Sequence, residues 1–335
     1  MAVSIRDVAE RAGVSRGTVS KVLNNVSGFQ ISSELRDRIN EAAKELGYTP
    51  NEIARALGRG RSKTIGLVIY GLRNPFFADM AEIVDQLALK SGYRVIIELT
   101  ENIRTAHGRL GNLVGWPLDG MLVWADAWEA FAGNIIQPSK RPTVFLGYPQ
   151  EGARDWVAFD LAAGMRLAMT HIMERGYSNP GFLTPFPTDA YGRAEARTQA
   201  YLDVCRELGL PGRIHILEGN FESKQAAVSM GIRIANMPLG DRPDVLLCHN
   251  DFIAIGVYHG LTRAGVRVPD DVAIVGFDGI DEGKYLDKPL TSISTPSVLL
   301  CSTALKILLS RLNDDSITPP YAVSIPAELF VGATT

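Results

Sequence analysis

Long apolar runs are absent from this chain. No stretch of its 335 residues approaches the roughly 18 consecutive apolar positions that a membrane-spanning helix needs, so no membrane association is expected. The opening MAVSIRDVAER lacks the apolar core of a secretory signal, and a cytoplasmic protein is the expectation. Cysteine is scarce. Cys205, Cys248 and Cys301 stand singly, without CxxC spacing, which argues against a disulfide framework or a cysteine zinc site and reads as small buried side chains in a reducing compartment. His107, His171, His215 and His259 show no metal-ligand spacing. There is no GxSxG, no GxxxxGK[ST], no HExxH, and no GxGxxG after a strand. These absences lead to the expectation of no metal, no cofactor and no enzyme. His249 adjoins Asn250 and Asp251, but a histidine at a strand end is far more often a hydrogen-bonded structural group than an acid or base. The end, Ala333-Thr334-Thr335, carries no heptad tail, which argues against a coiled-coil tetramer.

What is present suits a globular protein of two or three domains, with 46% hydrophobic and 21% charged residues. The net charge of −3 conceals an asymmetry. Residues 1–64 hold 11 Lys and Arg against 7 Asp and Glu, leaving 23 and 30 of the totals of 34 and 37 for the rest. A basic head on an acidic body fits a head that meets phosphates.

The head reads as helix, tight turn, helix. Ser4 caps the first helix with Asp7 as its capping-box partner, and Ile5, Val8, Ala9 and Ala12 form its apolar face. Gly13 supplies the turn. Ser15 caps a second helix with Val19, Val22 and Leu23 inward. A third helix begins near Ser32 or Ser33, buries Leu35, Ile39, Ala42 and Leu46, and stops at Gly47. The outward face of the second helix carries Ser15, Arg16, Gly17, Thr18, Ser20 and Lys21. With Asn24 at the helix end, these are the candidate DNA contacts. Glycine inside a helix costs roughly 1 kcal/mol relative to alanine. Close approach of the backbone to a partner would explain that choice. Hydroxyls and a helix N-terminus suit phosphate oxygens, and Arg16 suits a guanine edge in the major groove. Pro50–Gly58 follows, a helical pattern capped by Asn51 and too short to be stable alone in water. Such a segment orders when something pairs with it.

The run IRDVAERAGVSRGTVSKVLNN, continued by ELGYTPNEIARALGRGRSKTIGLVI, resembles the head, hinge helix and first body strand of the lac repressor (LacI/GalR) family of bacterial transcription regulators. By this resemblance Arg16 and Gly17 hold the two positions that chiefly set operator choice. Two hinge helices of a dimer lie in the minor groove, where Ala54 and Leu57 make contact and Leu57 wedges between base pairs. Two features depart from the family pattern: Asn25–Ser33 is a residue or two longer than in many relatives, and Leu35 stands where threonine is frequent.

From Thr64 onward short apolar runs alternate with helical stretches in two series, the pattern of two doubly wound parallel-sheet lobes. Candidate strands are Ile65–Tyr70, Arg94–Leu99, Gly120–Trp124, Thr143–Leu146 and Trp156–Phe159, then Pro180–Thr184, Ile214–Leu217, Val245–Cys248 and Val272–Phe277. The resemblance implies a body like a periplasmic sugar-binding protein, with the chain crossing between lobes near 160, 290 and 320. The expected organisation is a helix-turn-helix domain over 1–48, a hinge and linker over 49–63, and a two-lobed ligand-binding and dimerisation domain over 64–335. Its first lobe spans about 64–160 and 291–320, and its second about 161–290 and 321–335.

Ligands of such sheets bind beyond the carboxyl ends of the strands. That rule selects the run Arg73-Asn74-Pro75-Phe76-Phe77, then Asp160, Tyr191, Arg193, Arg197, Phe221, Asn250 with Asp251, and Asp278. The resemblance agrees at Phe76, Arg197, Phe221, Asn250 and Asp278, and Trp124 joins them as a ring-stacking candidate. Carboxylates, an amide and an arginine suit sugar hydroxyls, while the aromatic rings suit a sugar face. A purine or nucleoside would stack there too and is the rival ligand; a solute-binding protein without DNA function is a third reading. The expected function is a homodimeric repressor on a pseudo-palindromic operator, controlled by a small-molecule effector, a sugar or sugar derivative, bound between the lobes.

Overall fold

A computed structural model describes residues 3–24, 28–48, 61–99, 116–124, 141–149, 154–186, 195–218, 223–313 and 319–335. The chain divides into two compact units, Met1–Ser62 and Lys63–Thr335.

The first unit holds α1 (Ile5–Ala12), α2 (Arg16–Leu23) and α3 (Ser33–Glu45). At the start of α1 the Asp7 carboxylate accepts hydrogen bonds from the Ser4 N–H at 2.7 Å and from its hydroxyl at 2.8 Å, and these bonds hold its pKa below the ordinary value. Gly13 ends α1 with φ of 66°, a left-handed conformation that costs glycine little and lets the chain double back into α2. Val8, Ala9, Ala12, Val19, Val22, Ile39, Ala42 and Ala43 form the small core. Leu23, Leu35 and Leu46 are half-buried at its edge.

The second unit contains two six-stranded sheets. In chain order its elements are β1 (Thr64–Ile69), α4 (Pro75–Lys90), β2 (Arg94–Leu99), β3 (Gly120–Trp124), β4 (Thr143–Gly147), β5 (Asp155–Phe159), α5 (Leu161–Glu174), β6 (Pro180–Thr184), α6 (Ala196–Leu208), β7 (Arg213–Ile216), α7 (Lys224–Ala235), β8 (Val245–Cys248), α8 (Asp251–Arg263), β9 (Ala273–Asp278), the single turn α9 (Asp281–Lys284), β10 (Thr291–Ser294), α10 (Ser297–Asn313), β11 (Ala322–Ile325) and β12 (Glu328–Phe330). The first sheet runs β11-β5-β4-β3-β1-β2, with every pairing parallel. The second runs β12-β10-β9-β8-β6-β7, parallel except where β12 pairs antiparallel with β10. The central strands are buried along their length, as expected of sheets covered on both faces. This is the two-lobed doubly wound architecture read from the sequence.

The lobe boundaries need correction at two places. Thr291–Ser294, assigned above to the first lobe, pairs in parallel with Val275–Asp278 and belongs to the second sheet. Ala322–Ile325, assigned to the second lobe, pairs in parallel with Trp156–Phe159 and completes the first. The chain therefore passes between sheets after Phe159, after Ser294 and after Ile325. Backbone pairing decides these strands, and their short mixed sequences do not reveal which edge will take them.

In the second lobe α7 and α8 meet at glycines. A Cβ on Gly260 would lie 2.8 Å from the Gly231 Cα, and one on Gly231 would lie 2.9 Å from the Gly260 Cα. Both obstacles are backbone and cannot rotate aside. Gly260→Ala is accordingly expected to destabilise the second lobe by about 1–3 kcal/mol through overpacking, despite the gain of up to about 1 kcal/mol in helix propensity. Thermal unfolding checks this: the transition of the body should move down while that of the head stays in place, and an unchanged body transition would contradict the close packing.

Candidate functional site

Two sets of residues gather for chemistry, one in each unit. In the head, Ser15 caps α2 by accepting from the Thr18 N–H at 3.1 Å, and its hydroxyl lies 2.9 Å from the Thr18 hydroxyl. Asn24 donates from Nδ2 to the Ser20 hydroxyl at 3.2 Å, and the Lys21 ammonium sits 4.9 Å from the centre of the Phe29 ring. Ser15, Arg16, Gly17 and Lys21 are exposed; Thr18, Ser20 and Asn24 are half-buried. No acidic residue occupies the first turn of α2, so nothing there opposes an approaching phosphate. A Cβ on Gly17 would meet only the Ser15 hydroxyl, at 3.6 Å, an ordinary contact. The fold itself therefore does not require glycine at this position. Ala54 and Leu57 lie outside the described residues.

In the body, strand ends of both lobes surround a narrow cavity lined by Tyr70, Asn74, Phe76, Phe77, Trp124, Tyr148, Phe186, Arg197, His249, Asn250, Phe252 and Asp278. Its first-lobe wall is aromatic. Trp124 meets Phe76, Phe77 and Tyr148 edge-on, with ring centres 5.5, 5.2 and 5.9 Å apart. The wall depends on Gly147. Its φ is 90°, and a Cβ there would lie 2.6 Å from the Trp124 ring. Asn74 caps α4 by accepting from the Phe76 N–H at 3.2 Å, just before Pro75 at the start of the helix.

The second-lobe wall is polar and buried. Arg197, at the start of α6, donates from Nη2 to Asp278 Oδ1 at 3.1 Å, with side-chain exposures of 7% and 3% for the pair. Its guanidinium carbon is 4.4 Å from the centre of the Phe277 ring. Asp278 ends β9 at φ of 107°, a left-handed conformation that strains a residue bearing a Cβ. Burial pushes its carboxyl up to about 7, against the pull of Arg197 and of a hydrogen bond from the Asn74 side chain. His249 is held well below its ordinary range by burial and by Arg197. Asp251, at the start of α8, is pushed up to about 8 by burial and the nearby Asp278, although Ser292 and the Ile280 N–H donate to it at 2.6 and 2.8 Å.

Among the described residues a polar clasp crosses between the lobes, and Asn74 of the first lobe lines the cavity with Asp278 of the second. The Tyr148 hydroxyl donates to Glu195 Oε1 at 3.3 Å, while the other Glu195 oxygen caps α6 through the Arg197 and Thr198 N–H groups at 3.0 and 3.2 Å. Nearby, Asp79 of α4 faces Glu282 and Asp281 of α9; partial burial first, and then these carboxylates, raise its pKa.

Of the residues chosen from the sequence, Phe76, Trp124, Arg197, Asn250 and Asp278 come together in this cavity. Asn250 also caps α8, accepting from the Ile253 N–H at 2.9 Å. Asp160 is not among the lining residues. Its carboxylate accepts from the Ala163 N–H at 2.9 Å and is committed to capping α5 where the chain leaves the first sheet. Tyr191, Arg193 and Phe221 lie outside the described residues. Sequence reasoning passed over Tyr148 and read His249 as a structural hydrogen-bonded group; Asn74 and Phe77 stand in the Arg73–Phe77 run that the strand-end rule named after β1, from which only Phe76 was chosen. Among the described residues no group of three or more His, Cys, Asp or Glu could hold a metal ion, and no helix is long and apolar enough to cross a membrane.

Residues 4–51 match the family described as bacterial regulatory proteins, lacI family, and residues 169–335 match a periplasmic binding protein-like domain. Over 315 residues the chain is 31% identical to the HTH-type transcriptional repressor PurR of Photobacterium profundum, covering 93% of this chain and 92% of that one. It is also 31% identical over 314 residues to the ribose operon repressor of Haemophilus influenzae, with the same two coverages. The fold is similar to that of the lac repressor dimer bound to operator and the anti-inducer ONPF, with a TM-score of 0.80 at 23% identity over 100% of this chain and 99% of that one.

Proposed function

The chain belongs to the lacI family of bacterial regulatory proteins, and from that premise we propose that it binds an operator through α2 and releases it when a small, ring-shaped, polyhydroxylated ligand, a sugar or sugar derivative, enters the cavity between its lobes. The family consists of DNA-binding transcription regulators, not enzymes, and this chain is a repressor with a ligand-binding domain. The ligand, its contacts and the direction of control are our reading.

One observation carries it. The polar floor of the cavity adjoins a clasp between the lobes: Asp278 pairs with Arg197, whose backbone N–H donates to Glu195, and Glu195 accepts from Tyr148 of the other lobe. A ligand hydroxyl that bonds to Asp278 or Arg197 engages the residues next to that clasp, so occupancy bears on lobe geometry. The coupling is reciprocal: a ligand that weakens operator binding is itself bound less tightly by the operator complex. Couplings of this kind are typically about 1–3 kcal/mol, or roughly 5- to 150-fold in affinity.

A second reading, a purine or nucleoside ligand, is favoured by the seven aromatic side chains lining the cavity, among them Phe186 and Phe252 from the second lobe. A relative's name, PurR, points the same way. Selection of duplexes from random DNA, followed by mobility shift of the winning sequence with pentoses, hexoses, nucleosides and purine bases, tests the function and separates the two ligand classes. Failure to select any sequence would overturn the DNA reading, and release by none of the compounds would overturn the ligand reading. The resemblance also predicts that Leu57→Ala reduces both operator affinity and bending while leaving the cavity's ligand affinity unchanged. Permuted-site mobility shifts measure the bend, and an unaltered bend would rule out the wedge.

A further inference from the structure

The cavity floor holds a buried histidine that the ion pair alone does not explain. His249 is 6% exposed and sits where β8 passes into α8. Arg197 Nη1 lies 3.0 Å from its Nε2. A guanidinium only donates, so Nε2 is the acceptor, and a neutral ring then carries its proton on Nδ1. That Nδ1–H faces the Thr184 hydroxyl at 3.2 Å, with the Glu195 carboxylate 3.9 Å away. The Thr184 oxygen also accepts from the Phe186 N–H at 3.0 Å, and the Phe186 ring meets the imidazole edge-on at 5.7 Å. Arg197 is thus gripped at both terminal nitrogens, by Asp278 on Nη2 and by His249 on Nη1, with Phe277 against its face. Two fixed acceptors define the plane of a guanidinium, whereas one leaves it free to swing.

We infer that His249 is a positioning residue: as a neutral acceptor it locks the plane of the Arg197 guanidinium, so that the cavity discriminates between ligands differing only in where their oxygens lie. The inference rests on the cavity being the ligand site. Asp278 supplies the countercharge, and His249 supplies the orientation.

The test uses the full-length protein. A thermal-shift panel of aldopentoses, aldohexoses, ribonucleosides and purine bases identifies the compound that most stabilises wild type. Calorimetry then gives the affinities of that compound and its nearest stereoisomer or positional isomer for wild type, His249→Gln and His249→Leu. Glutamine presents an oxygen near the place of Nε2 and is expected to keep both the affinity and the isomer ratio within an order of magnitude. Leucine removes the acceptor and is expected to weaken binding roughly tenfold or more, the worth of a hydrogen bond to a charged group, and to draw the isomer ratio towards one. A leucine variant with wild-type affinity and ratio overturns the inference. So does a glutamine variant as impaired as the leucine one. If no compound stabilises wild type, the cavity reading falls and the inference with it. An independent readout is the histidine ring ¹⁵N spectrum of wild type, where the signals lost in His249→Gln should report a bare Nε2 and a protonated Nδ1; a protonated Nε2 overturns the inference even if the leucine variant does not fold.

Discussion

Arg197→Met is expected to produce a repressor that stays on its operator whatever ligand is added. Methionine approximates the length of the side chain and keeps apolar contact with Phe277 while removing the charge and the donors. Asp278 then remains buried without its cation. Removing one partner of a buried ion pair costs about 3–5 kcal/mol when the other stays charged. Here burial already pushes the Asp278 carboxyl up to about 7 with the arginine present. Without Arg197 its pKa rises further, the group becomes neutral, and the loss falls towards the low end of that range. The double variant Arg197→Met with Asp278→Asn separates the two effects. It should recover much of the stability, because no charge is left buried, but none of the ligand response. Thermal unfolding and ligand-dependent mobility shift measure the two quantities. Normal release by the single variant would remove Arg197 from the ligand site.

Arg16→Ala has the second large effect, on sequence reading instead of control. An arginine bidentate to guanine is worth about 1–3 kcal/mol of discrimination against the wrong base. Its loss should flatten preference at one position of each half-site while the rest of the selected sequence persists. Lys21→Ala provides the contrast. If Lys21 leaves the Phe29 ring to contact phosphate, its removal should weaken binding evenly across sequences and reduce the slope of log affinity on log salt by about 1. An arginine variant that behaves like the lysine one would show that Arg16 holds backbone rather than reading bases. The fold gives no reason for either change to spread, since both side chains are on the outward face of α2.

Much of this architecture is written in local pattern. The nine strands named from apolar runs all appear, most within a residue of their expected ends: the central ones because a strand covered on both faces must be apolar along its length, the edge strands β2 and β7 through shorter apolar runs. The head helices are equally legible through caps at Ser4, Ser15 and Ser32. What failed to show was decided at a distance. Thr291-Ser292-Ile293-Ser294 reads as a polar loop, yet it becomes a strand by pairing with β9 and burying Ser292 against Asp251. The same ambiguity affected the cavity. Phe76, Arg197, Asn250 and Asp278 follow from the strand-end rule and Trp124 from its ring, whereas Tyr148 matters because its hydroxyl reaches Glu195 in the other lobe. No window of sequence contains both halves of such a contact.

The room for a Cβ beside Gly17 has an evolutionary corollary. A Cβ there meets only the capping Ser15 hydroxyl at an ordinary 3.6 Å, so the scaffold tolerates another small residue, and on the reading proposed above the constraint on its identity comes from the double helix. After duplication of the gene, a single codon change there could send one copy to a new promoter while both copies went on folding alike and sensing the same metabolite.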